Sequence, residues 1–369
     1  MRTITKFISR GILLVLLSSC SENYTEITQV PETIADKKAS LGEKLFFETK
    51  LSNPEGLSCA SCHAQETGFS NLNHTIVSQG ILPNMFGNRT SPSISYAVFA
   101  PERYYNSVDE TYIGGMFLDG RSQNLETQVT GSLLYPVEMN NSSNAMIADK
   151  IRSLSYYQDF ANLYGSTTNE NALISQLANA IATYEKSKKV NSFTSKFDYY
   201  SHGTASFTKD EKDGLALFVG KAKCTNCHII DADENTGKVL FTDFSYDNIG
   251  VPKNILNPFY SMNAAINPAG ASYVDESIGA VVNLPEHKGK FKVPTLRNVV
   301  ISAPYFHNGV FKTLEEVIHF YNKRDEENLG QPEYPTNVNH EELGNLNLTL
   351  EEERKLKVFL ETLTDYYRE

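Results

Sequence analysis

Two short motifs contain the residues of this chain whose types and spacing can do chemistry. Each reads Cys-x-x-Cys-His, with Cys59, Cys62 and His63 in the first and Cys224, Cys227 and His228 in the second. In such a motif both thiols can form thioethers with the vinyl groups of a haem, and the adjacent histidine then binds the iron. The sequence therefore predicts two covalently bound haem c groups, with His63 and His228 as iron ligands.

Two other chemistries use the same residue types. A zinc site would need its Cys and His ligands close enough to share one ion, and the two motifs are far apart along the chain. A thioredoxin-like redox pair would not require the histidine that follows both motifs. Zinc and a redox pair stay open as weaker interpretations, and haem attachment is the stronger one.

The N-terminus carries the pattern of a bacterial lipoprotein signal. Basic residues precede a short apolar run at 11–17, and two serines precede Cys20. We expect residues 1–19 to be removed as a signal peptide and Cys20 to become a lipidated N-terminus, which would export the protein to the periplasm and anchor it to a bacterial membrane. An ordinary signal peptide with an incidental cysteine is the alternative. Residues 20–36 are predicted to be a polar tether.

The remaining chain is predicted to be mainly α, in two related halves. A short amphipathic helix precedes each motif, at 41–47 and at 214–218. Three more segments have apolar residues at helical spacing, namely 171–188, 314–322 and 350–367. A linker is predicted at 189–206 and long loops at 231–290. We therefore expect two cytochrome c-like haem domains with long irregular loops, an N-terminal one at 37–190 and a C-terminal one at 191–369.

Charge and composition exclude some partners. The formal charge is −11 without a basic patch, so the sequence predicts no nucleic-acid partner, because phosphates need basic residues to bind. Four of the five cysteines lie in the motifs and the fifth is Cys20, which leaves no pair for a disulfide. No stretch after the signal is apolar over about 18 residues, so membrane contact is predicted only through the lipid at Cys20. The oligomeric state stays open, with a homodimer as one option.

Several ordered blocks resemble the bacterial di-haem cytochrome c peroxidase/MauG family. They run from about Leu41 to Tyr321. In chain order the blocks are Leu45-Phe46-Phe47, Leu51-Ser52, Arg89-Thr90-Ser91-Pro92-Ser93, Asp119-Gly120-Arg121, Gln128, Pro136-Val137-Glu138-Met139, Lys292-Val293-Pro294-Thr295-Leu296-Arg297-Asn298-Val299 and Ala303-Pro304-Tyr305-Phe306-His307-Asn308-Gly309. On these blocks the chain is identified as a member of the family.

The resemblance implies different tasks for the two haems. Peroxide would react at the N-terminal haem, that of His63, and electrons would pass through the C-terminal haem, that of His228. Breaking the O–O bond needs a group that moves a proton from one peroxide oxygen to the other. The resemblance gives this catalytic role to Glu138, with Gln128 as a neighbouring polar group. Burial in a haem pocket would raise the pKa of such a carboxyl group towards the working range.

The first departure from the family concerns the distal side of the N-terminal haem. Many members have a histidine there that blocks the resting iron, and its position falls near Ile81 and Leu82, neither of which can bind iron. His74 is the one histidine in this region, and a displaced ligand at His74 is the weaker alternative. The resemblance with this departure predicts a five-coordinate haem that is ready for peroxide.

The second departure concerns the C-terminal haem. The methionine that many members use as sixth ligand is missing, because no methionine follows Met262. The matching position holds Tyr321, which MauG-like members use as a ligand. Tyr321 shares the helical face of Leu314 and Ile318, whereas His319 points away. We expect Tyr321 to be the distal ligand of the second iron, with a buried core tyrosine as the alternative.

At some other positions of the family pattern this chain has a different residue, and at others we expect a structural role. The chain has no tryptophan, and Leu118 stands where many members place one between the haems. The resemblance also implies a calcium ion, here matched by Thr90, Ser302 and Pro304. Arg121 and Arg297 are expected to make structural ion pairs.

We expect this chain to be an enzyme. We expect a cytochrome-c peroxidase-like oxidoreductase that reduces hydrogen peroxide with electrons from a small redox protein of the cytochrome c or cupredoxin type. One alternative is MauG-like, peroxide-dependent oxidation of a protein or small-molecule substrate. The other is a di-haem electron carrier without chemistry of its own. Glu138 beside an open haem favours an enzyme.

Overall fold

The computed structural model of the protein describes residues 32–234 and 236–368. The helices in these residues are α1 (Ile34–Phe46), α2 (Leu125–Leu134), α3 (Asn144–Ser153), α4 (Tyr157–Tyr164), α5 (Glu170–Glu185), α6 (Lys196–Ser201), α7 (Lys209–Val219), α8 (Ser277–Val282), α9 (Leu314–Lys323) and α10 (Leu350–Glu361). The strands are β1 (Tyr104–Asn106), β2 (Thr111–Ile113), β3 (Tyr246–Asp247) and β4 (Phe291–Lys292). The fold is mainly helical, as the sequence predicts, with long irregular connections.

The helix that precedes each motif packs tightly on a later helix. α1 lies against α5, where Gly42 meets the backbone of Ala180, and α7 lies against α10, where Gly214 meets the backbone of Lys355. In both places a methyl group would overlap the carbonyl of the partner helix. The same arrangement in both halves therefore holds the start of each motif against a buried core.

Capping residues define several helices. Thr208 and Glu211 form the expected capping box at the start of α7, and Thr313 with Glu316 forms one at the start of α9. Each box satisfies two backbone N–H groups that the first turn leaves without an intrahelical partner. These two helices lead into the second motif and carry Tyr321, respectively.

Several helix boundaries differ from the predictions, and three of the differences have a clear physical reason. α1 begins at Ile34, inside the segment predicted as a tether, and its first two turns are mostly exposed. α6 lies within the predicted linker, because Ser195 and Asp198 cap it and Phe197 is buried. α10 ends at Glu361, since the chain then turns so that Asp365 can accept hydrogen bonds from the Thr194 amide (3.0 Å) and the Tyr96 hydroxyl (2.6 Å).

The hydrophobic core consists of three clusters. The first packs α1, α3, α4 and α5 around residues such as Leu45 and Ile181, and the second packs α7, α9 and α10 around Phe359. A third, around Tyr96 and Phe244, contains residues from both halves. Residues 34–369 thus form one compact unit. The predicted domain bounds, 37–190 and 191–369, stay a prediction.

A small β-structure lies between the two halves. β1 and β2 form an antiparallel hairpin, and β3 pairs antiparallel with β4. Ile113 at the end of the hairpin bridges to Ser245, next to β3. Within 32–234 and 236–368, no helix is both long enough and apolar enough to cross a membrane. The predicted signal peptide and Cys20 lie outside the described residues.

Candidate haem sites

The first motif forms a single tight turn that presents His63. Residues Cys59–Ser61 form a 3₁₀ turn, and the His63 amide donates to the Cys59 carbonyl at 3.0 Å. The imidazole Nδ1 lies 3.2 Å from the Phe69 carbonyl oxygen and 3.1 Å from that of Pro92. Burial lowers the pKa of His63, so the ring is neutral and its Nδ1–H is donated to backbone. The other nitrogen, Nε2, is left with the lone pair that an iron ligand needs.

The second motif repeats this geometry. Residues Cys224–Asn226 form a 3₁₀ turn, and the His228 amide donates to the Cys224 carbonyl at 2.9 Å. His228 Nδ1 lies 2.9 Å from the Phe241 carbonyl oxygen, and burial lowers the pKa of His228 to about 4. Both histidines are therefore neutral imidazoles with a fixed tautomer. Two cysteines and one such histidine fit covalent haem c at each motif.

A cavity of about 330 Å³ lies beside the second motif. Cys224, Cys227 and His228 line it, with Tyr321 of α9 and apolar side chains such as Ile318 and Leu356. A haem needs such an apolar enclosure with an axial histidine. The cavity therefore fits the haem that the second motif would hold.

Tyr321 is one of several polar residues that line this cavity. Its ring packs against Phe306 and Phe320, with ring centroids 6.1 Å and 6.2 Å away. No hydrogen bond of its hydroxyl occurs in the described part of the chain. Burial raises the pKa of Tyr321, and the nearby thiols of Cys227 and Cys224 add to this. The phenol thus lies near the second motif without a protein partner.

His319, on the same helix, is engaged elsewhere. Its Nδ1 lies 3.1 Å from a carboxylate oxygen of Glu353, and its Nε2 lies 3.2 Å from one of Glu327. These contacts hold His319 away from the second motif, as its position on the helix predicts.

Glu138 lies close to the first motif. The amide of Ile81 donates to the Glu138 carbonyl at 2.9 Å, and the side chain of Glu138 is half-buried. Burial raises the pKa of Glu138, while a hydrogen bond from Ser132 and the charge of Arg121 oppose the shift. Burial also raises the pKa of the Cys62 thiol to about 11, and the Glu138 charge contributes. The structure therefore places the Glu138 carboxyl group near the first motif and next to Ile81, one of the two positions near which the family's histidine is expected.

The other two polar candidates on this side lie in different places. Gln128 of α2 is half-buried and lines the cavity that His228 and Tyr321 also line. His74 is exposed, and its Nδ1 lies 2.7 Å from the Ala303 carbonyl oxygen. His74 is thus held at the surface by a backbone group. The roles predicted for both residues stay predictions.

The two arginines that the sequence assigned to ion pairs make such pairs. Arg297 is fully buried and forms two hydrogen bonds with Asp198, at 2.8 Å and 3.0 Å. Arg121 pairs with Asp119 at 3.0 Å, and its guanidinium lies 3.5 Å from the centroid of the Phe117 ring. The contacts of Arg121 lie within the loop that contains Leu118.

A buried ionic network on the cavity wall could not be predicted from the sequence. Arg89 pairs with Asp119 and Asp275, each at 2.7 Å. His307 stacks on Phe291 with ring centroids 3.8 Å apart, and its Nε2 lies 3.1 Å from Glu333. The acidic partners come from irregular loops, which carry no periodic signal. Arg89 and His307 belong to sequence blocks that resemble the family, and this resemblance was the sequence signal that pointed to their importance.

The three residues matched to calcium, Thr90, Ser302 and Pro304, line the same cavity. The Thr90 amide donates to the His307 carbonyl at 2.8 Å. Leu118, at the position of the missing tryptophan, also lines the cavity.

Known proteins resemble this chain along most of its length. A sequence profile described as "Di-haem cytochrome c peroxidase" matches residues 36–206. The methylamine utilization protein MauG of Paracoccus denitrificans is 33% identical over 353 residues, covering 89% of each chain. The cytochrome c551 peroxidase of Nitrosomonas europaea is 28% identical over 361 residues, covering 97% of this chain and 87% of that one.

A solved structure shares the fold along most of the chain. The crystal structure of the dihaem peroxidase BthA from Burkholderia thailandensis superposes with a TM-score of 0.79 at 32% identity. The match covers 89% of this chain and 86% of that one.

Proposed function

This chain belongs to the di-haem cytochrome c peroxidase family, and on that premise we propose that it reduces hydrogen peroxide at the haem of His63. Electrons would reach that haem through a second haem, held by His228. The haems, when bound, supply the iron at which the O–O bond breaks and the store of electrons. Overall, one peroxide takes up two electrons and two protons and gives two water molecules.

One observation carries this proposal, namely the position of Glu138. A half-buried carboxyl group with a raised pKa lies beside the first motif, next to Ile81, which cannot bind iron. A carboxyl group whose pKa is near the operating pH can accept a proton and return it within one reaction. Glu138 accepts the proton of one peroxide oxygen and delivers it to the other, which leaves as water. Gln128 is the proposed neighbouring polar group.

The experiment compares the reaction of the ferric holoprotein with hydrogen peroxide in two variants. Glu138→Gln should slow the peroxide-induced change of the Soret band by about 10²–10⁴-fold, the usual contribution of a proton-transfer group. The matched control is Glu126→Gln, which removes a carboxylate of α2 that pairs with Lys186 at 3.2 Å. An unchanged rate in Glu138→Gln would remove Glu138 as the proton shuttle.

The EPR spectrum of the resting ferric protein distinguishes a peroxidase from an electron carrier. A peroxidase should show one high-spin haem by EPR, because its iron must have an open position. Two low-spin haems and no response to peroxide would identify a di-haem electron carrier instead.

We also propose Tyr321 as the distal ligand of the His228 haem. The cavity that both residues line and the unpartnered hydroxyl of Tyr321 support this role. A phenolate oxygen donates charge to ferric iron, whereas methionine favours the ferrous state. This ligand favours the alternative function, in which a MauG-like enzyme uses peroxide to oxidise a protein or small-molecule substrate.

The remaining assignments are proposed on the resemblance and the sequence. The electron donor is a small redox protein of the cytochrome c or cupredoxin type. Thr90, Ser302 and Pro304 hold a calcium ion, and two haem domains divide near residue 190. The protein is exported and carries a lipid at Cys20. Metabolic labelling with palmitate should therefore mark wild type and spare Cys20→Ser.

A further inference from the structure

A cluster of three aromatic rings lies at the surface of the β-hairpin. Tyr105 of β1 and Tyr112 of β2 are directly opposite each other, and their ring centroids are 5.2 Å apart. The ring of His287 packs edge-on against both, at 6.0 Å from Tyr105 and 5.1 Å from Tyr112. Tyr105 is 48% exposed, Tyr112 is half-buried and His287 is 4% exposed. The cluster thus runs from solvent into the protein.

The most buried ring of the cluster is that of His287. Nδ1 of His287 is buried and has no hydrogen-bond partner in the described part of the chain. A buried polar atom without a partner is unfavourable, so its retention calls for an explanation. Burial and the charge of Lys290 lower the pKa of His287. The imidazole is therefore neutral and packs as an aromatic ring against the two tyrosines.

Two short connections tie the cluster to the wall of the haem cavity. His287 is two residues from Gly289, which lines the cavity, so their Cα atoms are at most about 7 Å apart. On the other side, Thr111 Oγ1 donates to the Tyr246 carbonyl at 3.1 Å, and the next residue, Asp247, also lines the cavity. The cluster is therefore joined to the wall of the cavity by one hydrogen bond and two short chain segments.

We propose that Tyr105, Tyr112 and His287 form a redox-active tyrosine site, through which oxidising equivalents from peroxide reach phenols outside the protein. This rests on the proposed function and names its substrate class. Phenols are favoured because moving a hydrogen atom from one phenol to another is nearly balanced in energy. An exposed tyrosine ring at 48% exposure also offers an outside aromatic ring a surface to stack on.

The chemistry balances in electrons and protons. Tyr112, which is half-buried, loses one electron towards the cavity and its phenolic proton to water. Tyr105 then gives a hydrogen atom to Tyr112, and an outside phenol gives a hydrogen atom to the phenoxyl oxygen of Tyr105. The proton released to water offsets one proton taken up when peroxide is reduced. Two such turnovers convert one hydrogen peroxide and two phenols into two water molecules and two phenoxyl radicals.

The test measures radicals in the holoprotein after hydrogen peroxide is added without a donor. Freeze-quench EPR should show a tyrosyl radical in wild type that is lost in the double variant Tyr105→Phe/Tyr112→Phe. Tyr104→Phe is the matched control, because Tyr104 is 49% exposed on the same strand but points to its opposite face. A nitroso spin trap, located by mass spectrometry, should mark the peptide that contains residues 104–113 in wild type, a readout that needs no variant.

A substrate assay completes the test. Dityrosine formation from N-acetyltyrosinamide should fall to background in the double variant and stay at the wild-type rate in Tyr104→Phe. A Soret response to peroxide with an unchanged radical in the double variant, or a spin adduct on another peptide, would overturn this proposal alone. A wild-type protein whose Soret band does not respond to peroxide would overturn the proposed function and this proposal with it.

Discussion

Replacing Gly214 by alanine should destabilise the protein, although alanine favours helices. An added methyl group would lie 2.8 Å from the Phe359 Cβ and still closer to the Lys355 carbonyl oxygen. Overpacking of this kind costs about 1–3 kcal/mol, and here at the upper end, because a backbone carbonyl cannot rotate away. Alanine has a higher helix propensity than glycine, and this stabilises the variant by about 1 kcal/mol. The net loss in the free energy of unfolding is therefore about 1–2 kcal/mol.

A second glycine provides the matched control. Gly131 lies inside α2, and nothing is within 4 Å of the position that its methyl group would take. Gly131→Ala should therefore stabilise the protein, by about 0.5–1 kcal/mol. Gly42→Ala should repeat the loss of Gly214→Ala, since its methyl group would lie 2.9 Å from the Tyr184 Cβ and overlap the Ala180 carbonyl.

The assay is urea unfolding of the holoproteins at equal haem content, followed by far-UV circular dichroism. A Gly214→Ala variant as stable as wild type would refute the argument that close approach of α7 and α10 requires this glycine. Equal losses in Gly131→Ala and Gly214→Ala would show that helix geometry, and not packing, determines the result.

Three further predictions concern buried charges and the proposed ligand. Arg297→Leu leaves Asp198 buried without its partner, and urea unfolding should show a loss of about 3–5 kcal/mol. Burial alone would raise the pKa of Asp275, but the charge and hydrogen bonds of Arg89 lower it to about 2. A carboxylate with a lowered pKa stabilises the fold above its unfolded pKa, so this stabilisation should disappear between about pH 4 and pH 2; the same pH dependence in Asp275→Asn would contradict it. Tyr321→Phe should change the EPR signal of one haem and leave the other unchanged, and two unchanged signals would exclude tyrosine ligation.

The sequence predicted the parts of the site that depend on local spacing. The two motifs identify their haem-binding residues without reference to the fold, and α9 follows from apolar residues every three or four positions. Tyr321 could be placed on the buried face of α9 for the same reason. Local patterns of this kind survive in the fold because each is stabilised by contacts within a few turns of the chain.

The parts that the sequence did not predict depend on contacts between distant loops. Asp275 and Glu333 meet Arg89 and His307 only after long irregular segments fold together. The first two turns of α1 are mostly exposed, so they have no apolar pattern that distinguishes a helix from a tether. The short helix α6 has a capping signal in Ser195, but its six residues are too few for periodicity to be recognised.

The backbone partners of the two histidines have a consequence for the electronic character of the irons. A carboxylate at Nδ1 would draw the imidazole towards imidazolate and make it a strong donor to iron. His63 and His228 donate to carbonyl oxygens, at 3.1 Å and 2.9 Å, which hold the ring while leaving it neutral. Both histidines would therefore be similarly weak electron donors to the irons that they bind. A difference in reduction potential between the two haems would therefore not come from these histidine partners, and the proposed positions of Glu138 and Tyr321 offer one source for it.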